Sequence, residues 1–194
     1  MLGYTPQQKS FRGRGDSVGL NTDTWDHALN TGWTQDVDTV FRVRFSIQET
    51  GGSTGSAGGV DVFRVTFNID GGSYTAVTGT TAVQWALSGQ YANGDATSKL
   101  LDGTGSFDAI GFGTENTNNI VPARHGQGNN FENEWALLLD SGQLSDGQVI
   151  GLRLQLNSAD FSGGYANTPA ITVQEAAAGG GGGPLSMLLL GAGL

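Results

Sequence analysis

A strict alternation of apolar and polar residues, repeated in several short segments, constrains the fold of this chain more than any other feature. In FRVRFSIQ, residues 41–48, aromatic and aliphatic side chains occupy every second position. The same spacing holds in VDVFRVTFNI, residues 60–69. A period of two places the apolar side chains on one face of a strand and the polar ones on the other. Both segments are therefore predicted to be half-buried strands.

Shorter segments repeat this pattern along the rest of the chain, in AVQWALS, EWALLLD, IGLRLQLN and AITVQ. Asp70-Gly71-Gly72 supplies turn chemistry, so that residues 73–78 can return as a hairpin partner. The chain has 33 glycines and only 14% charged residues, and no stretch of helical length keeps a 3.6-residue apolar spacing. These features predict an all-β fold, an antiparallel β-sandwich (Ig-like or jelly-roll-like) of about seven to nine strands.

The alternation also predicts which side chains form the core. Residues on the apolar faces are expected to be buried: Phe45, Phe67, Trp135 and Leu154. Residues at the intervening positions are expected to point the other way along their strands: Arg42, Arg44 and Arg64.

Composition divides the chain into three parts. Residues 1–37 are polar and irregular, with Trp25 and Trp33 as the large anchors, and are predicted to be an extended N-terminal arm. Residues 38–175 carry the alternating segments and are predicted to be the sandwich domain. Residues 176–194 are predicted to be a glycine-rich tether followed by an apolar docking tail. The side chains predicted to dock on a partner are Leu185, Met187, Leu188, Leu189, Leu190 and Leu194.

Charge and composition argue against several classes of partner. A net charge of −9 with nine scattered basic residues does not suit nucleic acid. The apolar run from Pro184 is shorter than the roughly 20 residues that a membrane-spanning helix needs. There are no cysteines, so a disulfide framework and a thiolate metal site are both excluded. The N-terminal residues lack the apolar region of a secretory signal, so export by that route is not expected.

The sequence offers few candidates for a catalytic nucleophile or a histidine-based metal site. Residues 51–55, GGSTG, match the G-x-S-x-G pattern of a nucleophile elbow around Ser53. That elbow needs a strand before it and a helix after it, whereas a glycine-rich loop and a second strand follow here. His27 and His125 are the only histidines, and no metal-ligand spacing joins them. We expect His27 to cap or pack locally and His125 to be a solvated side chain.

Carboxylates are numerous enough to supply a glycosidase pair, but no spacing in the sequence brings two of them to a working separation. The candidates, for which solvation at the surface is the expected state, are Asp95, Asp102, Asp108, Glu115, Glu132 and Glu134. No Asp-Gly pair completes a calcium-binding loop pattern. The sequence therefore predicts no enzymatic site, no cofactor and no metal centre.

The central run, residues 34–175, resembles a β-sandwich module of the structural proteins of tailed bacteriophages. The similarity rests on the FRVRF opening strand, the Gly/Ser-rich loop after it, the DGGSYTAV hairpin, the EWAL and GLRLQLN strands, and the closing NTPAITV. Modules of this kind serve in virion decoration, fibres or tails, so the resemblance implies a structural role and no catalytic residues.

The predicted function is a non-enzymatic structural protein of a virion: a capsid decoration (cement) protein or a head or tail fibre component, assembled in a host cytoplasm. Its expected partners are capsid or tail subunits and copies of itself, held through its termini. The alternative is a β-sandwich module that binds a host glycan or receptor. A hydrolase is a third hypothesis, which the weak site motifs do not favour.

Overall fold

The computed structural model describes residues 3–55, 61–115, 119–121 and 125–175 of the chain. These residues form two β-sheets that pack around a shared apolar core, which confirms the predicted sandwich. No described residue is helical, so none of these segments forms a helix that could cross a membrane.

The strands, in chain order, are β1 (Pro6–Gly15), β2 (Trp33–Asp36), β3 (Phe41–Glu49), β4 (Asp61–Ile69), β5 (Thr75–Ala76), β6 (Val83–Trp85), β7 (Gly113–Thr114), β8 (Asn119–Val121), β9 (Asn130–Leu139), β10 (Val149–Leu156), β11 (Ala159–Asp160) and β12 (Ala170–Gln174).

The first sheet has the order β1-β3-β9-β6, with β7 also paired to β9. Strand β3 lies between β1 and β9 and is antiparallel to both. The second sheet has the order β2-β12-β10-β4-β5, with β8 beside β4 and β11 beside β10. Most pairs are antiparallel, but β2 runs parallel to β12 and β7 runs parallel to β9.

The turn predicted after β4 is present at residues 69–72. Asp70 and Gly71 both have positive φ, at 50° and 75°, and the N–H of Gly72 donates to the carbonyl of Ile69 at 2.9 Å. Positive φ at both central residues is the geometry of a type I′ hairpin turn, which Asp-Gly favours. Strand β5 then pairs with β4 at Phe67, as the sequence predicts.

The core is built from the inward faces of the two sheets. Phe63 of the second sheet meets Phe131 of the first edge-to-face, with ring centroids 5.3 Å apart. Within the first sheet, Phe45 and Trp135 make a similar contact at 5.7 Å. Such pairs add to the stabilisation that burial of aromatic area already provides. All four side chains predicted as core are buried: Phe45, Phe67, Trp135 and Leu154.

Strand β3 departs from the half-buried prediction because both of its faces are covered. All nine of its residues are buried. Arg42 and Arg44 alternate with the apolar side chains as predicted, yet each is 0% exposed. Arg64 on β4 is half-buried and donates to Gln155 Oε1 at 2.7 Å. The alternation shows which residues share a face, but it does not show whether the polar face reaches solvent.

The prediction of an extended N-terminal arm over residues 1–37 is wrong for most of that range. Strand β1 is an integral strand of the first sheet, and β2 belongs to the second. Trp33 is 8% exposed and packs so closely on Gly13 that a Cβ there would lie 2.7 Å from its ring. The alternation is hidden in β1 because several of its buried positions, Gln8, Ser10 and Arg14, carry polar side chains.

A β-bulge in β1 contributes to this concealment by shifting the register between Gln8 and Ser10. The buried Gln8 also connects the sheets: its Oε1 accepts from the N–H of Leu154 on β10 at 2.9 Å. Its Nε2 donates to the carbonyl of Asn167 at 2.7 Å. Strand β1 is thereby attached to both layers of the sandwich.

The predicted tether and docking tail, residues 176–194, lie outside the described residues.

We predict that Phe45→Ala lowers the free energy of unfolding by about 3–5 kcal/mol, because it removes a fully buried ring and leaves a cavity beside Trp135. Leu87→Ala is the matched control, since Leu87 is 72% exposed; its effect should stay within about 0.5 kcal/mol. Urea denaturation followed by circular dichroism measures both. Equal stability of the two variants would contradict the core assignment.

Candidate functional site

The outer face of the first sheet carries a cluster of charged side chains, which we call the buried charge network: Arg14 on β1, Arg42 and Arg44 on β3, and Glu132 and Glu134 on β9. The strand register brings them together, because Arg14 lies opposite Arg42 and Arg44 lies opposite Glu134. Each of the five is at most 1% exposed.

Glu134 lies at the centre of the network. Its carboxylate accepts from Arg44 Nε at 2.7 Å and from Arg14 Nη2 at 2.8 Å. Arg42 Nη1 approaches it to 3.1 Å, an ion-pair distance without hydrogen-bond geometry. One carboxylate therefore faces three guanidinium groups in a site from which water is excluded, where electrostatic attraction is stronger than at the surface.

Other donors of the three arginines bind the backbone of the segment that joins β1 to β2, residues 16–32, which we call the first cover segment. Arg14 Nη1 donates to the carbonyl of Thr22, and Arg44 Nη2 to that of Leu20, each at 2.7 Å. Arg42 Nη2 donates to the carbonyl of Val18. The guanidinium groups thereby hold this segment against the sheet.

Glu132 holds a second cover segment, residues 86–112, between β6 and β7. Its carboxylate accepts from the N–H of Leu101 at 2.7 Å and from the N–H of Leu100 at 3.0 Å, and Arg44 contacts it at 3.1 Å. Burial raises the pKa of Glu132, while the backbone N–H groups and Arg44 act against that rise.

Two further groups complete the surroundings of Arg42 and Arg14. Asp16, whose side chain is 14% exposed, pairs with Arg42 Nε at 3.1 Å. Tyr91 of the second cover segment lies under the Arg42 guanidinium, 5.6 Å from its ring centroid. Burial lowers the pKa of Arg14, opposed by Glu134. Three cations thus face three carboxylates, so the charges compensate within the protein.

This arrangement is suited to holding loops rather than to proton transfer. The carboxylates of Glu132 and Glu134 are 0% exposed, and their oxygens accept from arginines and backbone N–H groups. The prediction that they are solvated is wrong, because the cover segments close over the sheet face. Glu115 is also buried, at 8% exposure, and accepts from the N–H of Ser88. Asp95 and Asp102 are exposed as expected, and Asp108 is half-buried.

A second polar cluster surrounds His125, which is 3% exposed, so its predicted solvation is also wrong. His125 Nδ1 lies 2.9 Å from the hydroxyl of Tyr4, and Nε2 lies 2.8 Å from the carbonyl of Asn129. Nε2 therefore carries the proton that this carbonyl accepts, and Nδ1 accepts from Tyr4. Burial lowers the pKa of His125, against the opposing effect of Asn129 and nearby carboxylates.

The loop after β3 wraps around the carboxylate of Glu49. Burial opposes its ionisation, but N–H groups of Gly128, Gly51, Ser53 and Thr5 bind it and hold its pKa below the ordinary value. Ser53, the elbow candidate, thus lies in a carboxylate-binding turn. No helix follows it among the described residues, so the elbow geometry is not formed.

The other sequence candidates have local structural roles. His27 stacks on Trp33 with ring centroids 4.9 Å apart, which confirms local packing. In the described part of the chain no group of three or more His, Asp or Glu side chains could hold a metal ion.

Comparison of the chain with protein-family models, with curated proteins and with solved structures finds no match. The resemblance to phage sandwich modules therefore stays a prediction, and what can be stated plainly is the class: an all-β sandwich whose first sheet has a sealed ionic face.

We predict that Glu134→Gln lowers the free energy of unfolding by about 3–5 kcal/mol, because it leaves buried arginines without their central carboxylate. Asp160→Asn is the control: Asp160 pairs with Arg153 at 2.8 Å, but its side chain is 49% exposed. A surface pair of this kind contributes at most about 1 kcal/mol. Chemical denaturation of both variants decides the matter, and a Glu134→Gln effect no larger than the control would refute the role assigned to the network.

We also predict that His125 makes stability pH-dependent. Its pKa is lowered on folding, so the unfolded chain binds the proton first, and stability is lost as the pH falls from about 6.5 through the folded pKa. Melting temperatures of wild type and His125→Gln at about pH 7.5 and pH 5 should show a larger loss for the wild type. His27→Gln is the comparison: burial lowers the pKa of His27 as well, but His27 is less buried than His125, so this variant should keep more of the wild-type pH dependence. The same pH dependence in wild type and His125→Gln would contradict the assignment.

Proposed function

We propose that this chain is a non-enzymatic structural subunit of a virion surface, a decoration protein or a fibre component that is assembled with capsid or tail proteins. The observation that carries the proposal is the buried charge network, in which five charged side chains bind one another and the backbone of the chain's own loops. An enzyme of this composition would be expected to leave some of these groups open to substrate.

The two cover segments support this role because their backbone is fixed against the sheet. Loops of these lengths ordinarily have a high conformational entropy, but here the arginines and Glu132 hold their backbone at Leu20, Thr22 and Leu101. A subunit that must present the same surface in many copies benefits from loops with one fixed conformation. The resemblance of residues 34–175 to phage sandwich modules agrees with this role.

Attachment to neighbouring subunits is proposed for the apolar tail, residues 184–194. Its leucines and methionine would each contribute roughly 1.5–3 kcal/mol on burial in a partner's groove. The five glycines before it, residues 179–183, would act as the tether.

The proposal is tested by co-sedimentation of purified variants with particles that lack the protein. Leu189→Asp should abolish or strongly weaken binding, because a charge without a partner is costly in an apolar groove. Ser186→Asp places the same charge at a polar position of the same tail and should bind nearly as wild type. Equal occupancy for wild type and both variants would refute the docking tail, and failure of the wild type to bind any particle would refute the virion role.

A further inference from the structure

A cleft of about 330 Å³ opens at the end of the sandwich where β4 turns into β5. Its lining includes Phe67, Asn68, Ser73, Thr75, Ala82 and Gln143. Its volume falls at the lower end of the range of about 300–1,000 Å³ that is typical of small-molecule sites. The cleft lies apart from the buried charge network, and nothing in the proposed structural role uses it.

The lining combines an apolar floor with a polar mouth. Phe67 and Ala82 are nearly buried, at 5% and 7% exposure, and supply apolar surface at the floor. Ser73 and Thr75 are exposed, and within the described residues their hydroxyls make no hydrogen bond to other protein groups. They are therefore free to donate to, and accept from, a bound molecule.

The walls of the cleft are held in place by hydrogen bonds. On one side, Asn68 Nδ2 donates to the carbonyl of Gly72 at 3.1 Å, next to the type I′ turn. On the other, Gln143 Nε2 donates to the carbonyl of Thr80 at 3.2 Å and to Asp140 Oδ2 at 2.6 Å. These two bonds fix the side-chain amide of Gln143 through its nitrogen, so that Oε1 remains as an oriented acceptor. Groups fixed before binding reduce the entropy that a ligand must offset.

The charge of the cleft selects among ligand classes. None of its lining residues is charged. Two carboxylates lie beside lining residues: Asp70 follows Ile69 in the turn, and Asp140 accepts from Gln143 at 2.6 Å. In a chain of net charge −9, an anionic ligand would be repelled. The site instead matches a neutral molecule with one apolar face and a rim of hydroxyls.

We propose that this cleft binds a neutral sugar unit, with the C–H face of the ring on Phe67 and Ala82 and its hydroxyls on Ser73, Thr75 and Gln143. The sugar would be a terminal or branch residue of a glycan, because the cleft has room for little more than one ring. This binding activity is independent of the structural role proposed above.

The test is a titration of the ¹⁵N-labelled full chain, followed by NMR, with the methyl glycosides of glucose, galactose, mannose and N-acetylglucosamine, and with methyl glucuronide as the anionic probe. At least one neutral glycoside should shift the backbone amides of Ser73, Thr75 and Gln143 in a saturable way. The glucuronide should leave them unshifted.

Two double variants sharpen this experiment. Ser73→Ala with Thr75→Val removes both free hydroxyls at exposed positions and should weaken binding by about tenfold or more. Ser106→Ala with Thr34→Val makes the same chemical changes at exposed positions outside the cleft and should bind as wild type. The proposal is overturned if no neutral glycoside shifts the cleft amides, if the glucuronide shifts them equally, or if both double variants bind alike.

Discussion

Burial of ionised groups is the constraint on which the first sheet depends. Moving a carboxylate or guanidinium out of water costs several kcal/mol, which only close ion pairs and hydrogen bonds can offset. Glu134 meets this requirement with Arg14, Arg42 and Arg44, and the arginines complete it with carbonyls of the first cover segment. Sheet and loops are therefore interdependent, because the buried arginines need both the carboxylate on β9 and the carbonyls of the first cover segment as partners.

The buried charge network also determines which charged groups remain at the surface. The network takes three of the nine basic residues of the chain into the interior. Most remaining carboxylates, such as Asp23, Asp70 and Asp95, are at exposed positions. The surface of the described residues is accordingly acidic, while the lining of the cleft beside Ser73 carries no charged residue.

The sequence predicted the features that depend on local pattern. The sandwich class, the buried Phe45 and Trp135, and the Asp70-Gly71 turn all follow from period-two alternation and turn chemistry. The network was missed because its members are spread over three strands, and a charged residue at an alternate position ordinarily faces water. One signal was present: β3 carries cations and β9 carries anions at the same spacing, as expected of paired strands with complementary charges. The cleft could not be predicted, because Gln143 and Ser73 are far apart in sequence.

The strand order of the first sheet has a consequence for synthesis on the ribosome. Arg14, Arg42 and Arg44 emerge long before Glu132 and Glu134, since β9 follows β3 by about 80 residues in the chain. Until β9 is made, Arg14 and Arg44 lack their carboxylate partners and Arg42 has only Asp16, so the three cannot leave water together at an acceptable free energy. We therefore expect β1 and β3 to stay unfolded or solvated on the nascent chain, and the sheet to form in one late step. Long-range closure of this kind is slow, so truncated translation products would expose the apolar faces of β3 and β4 to aggregation.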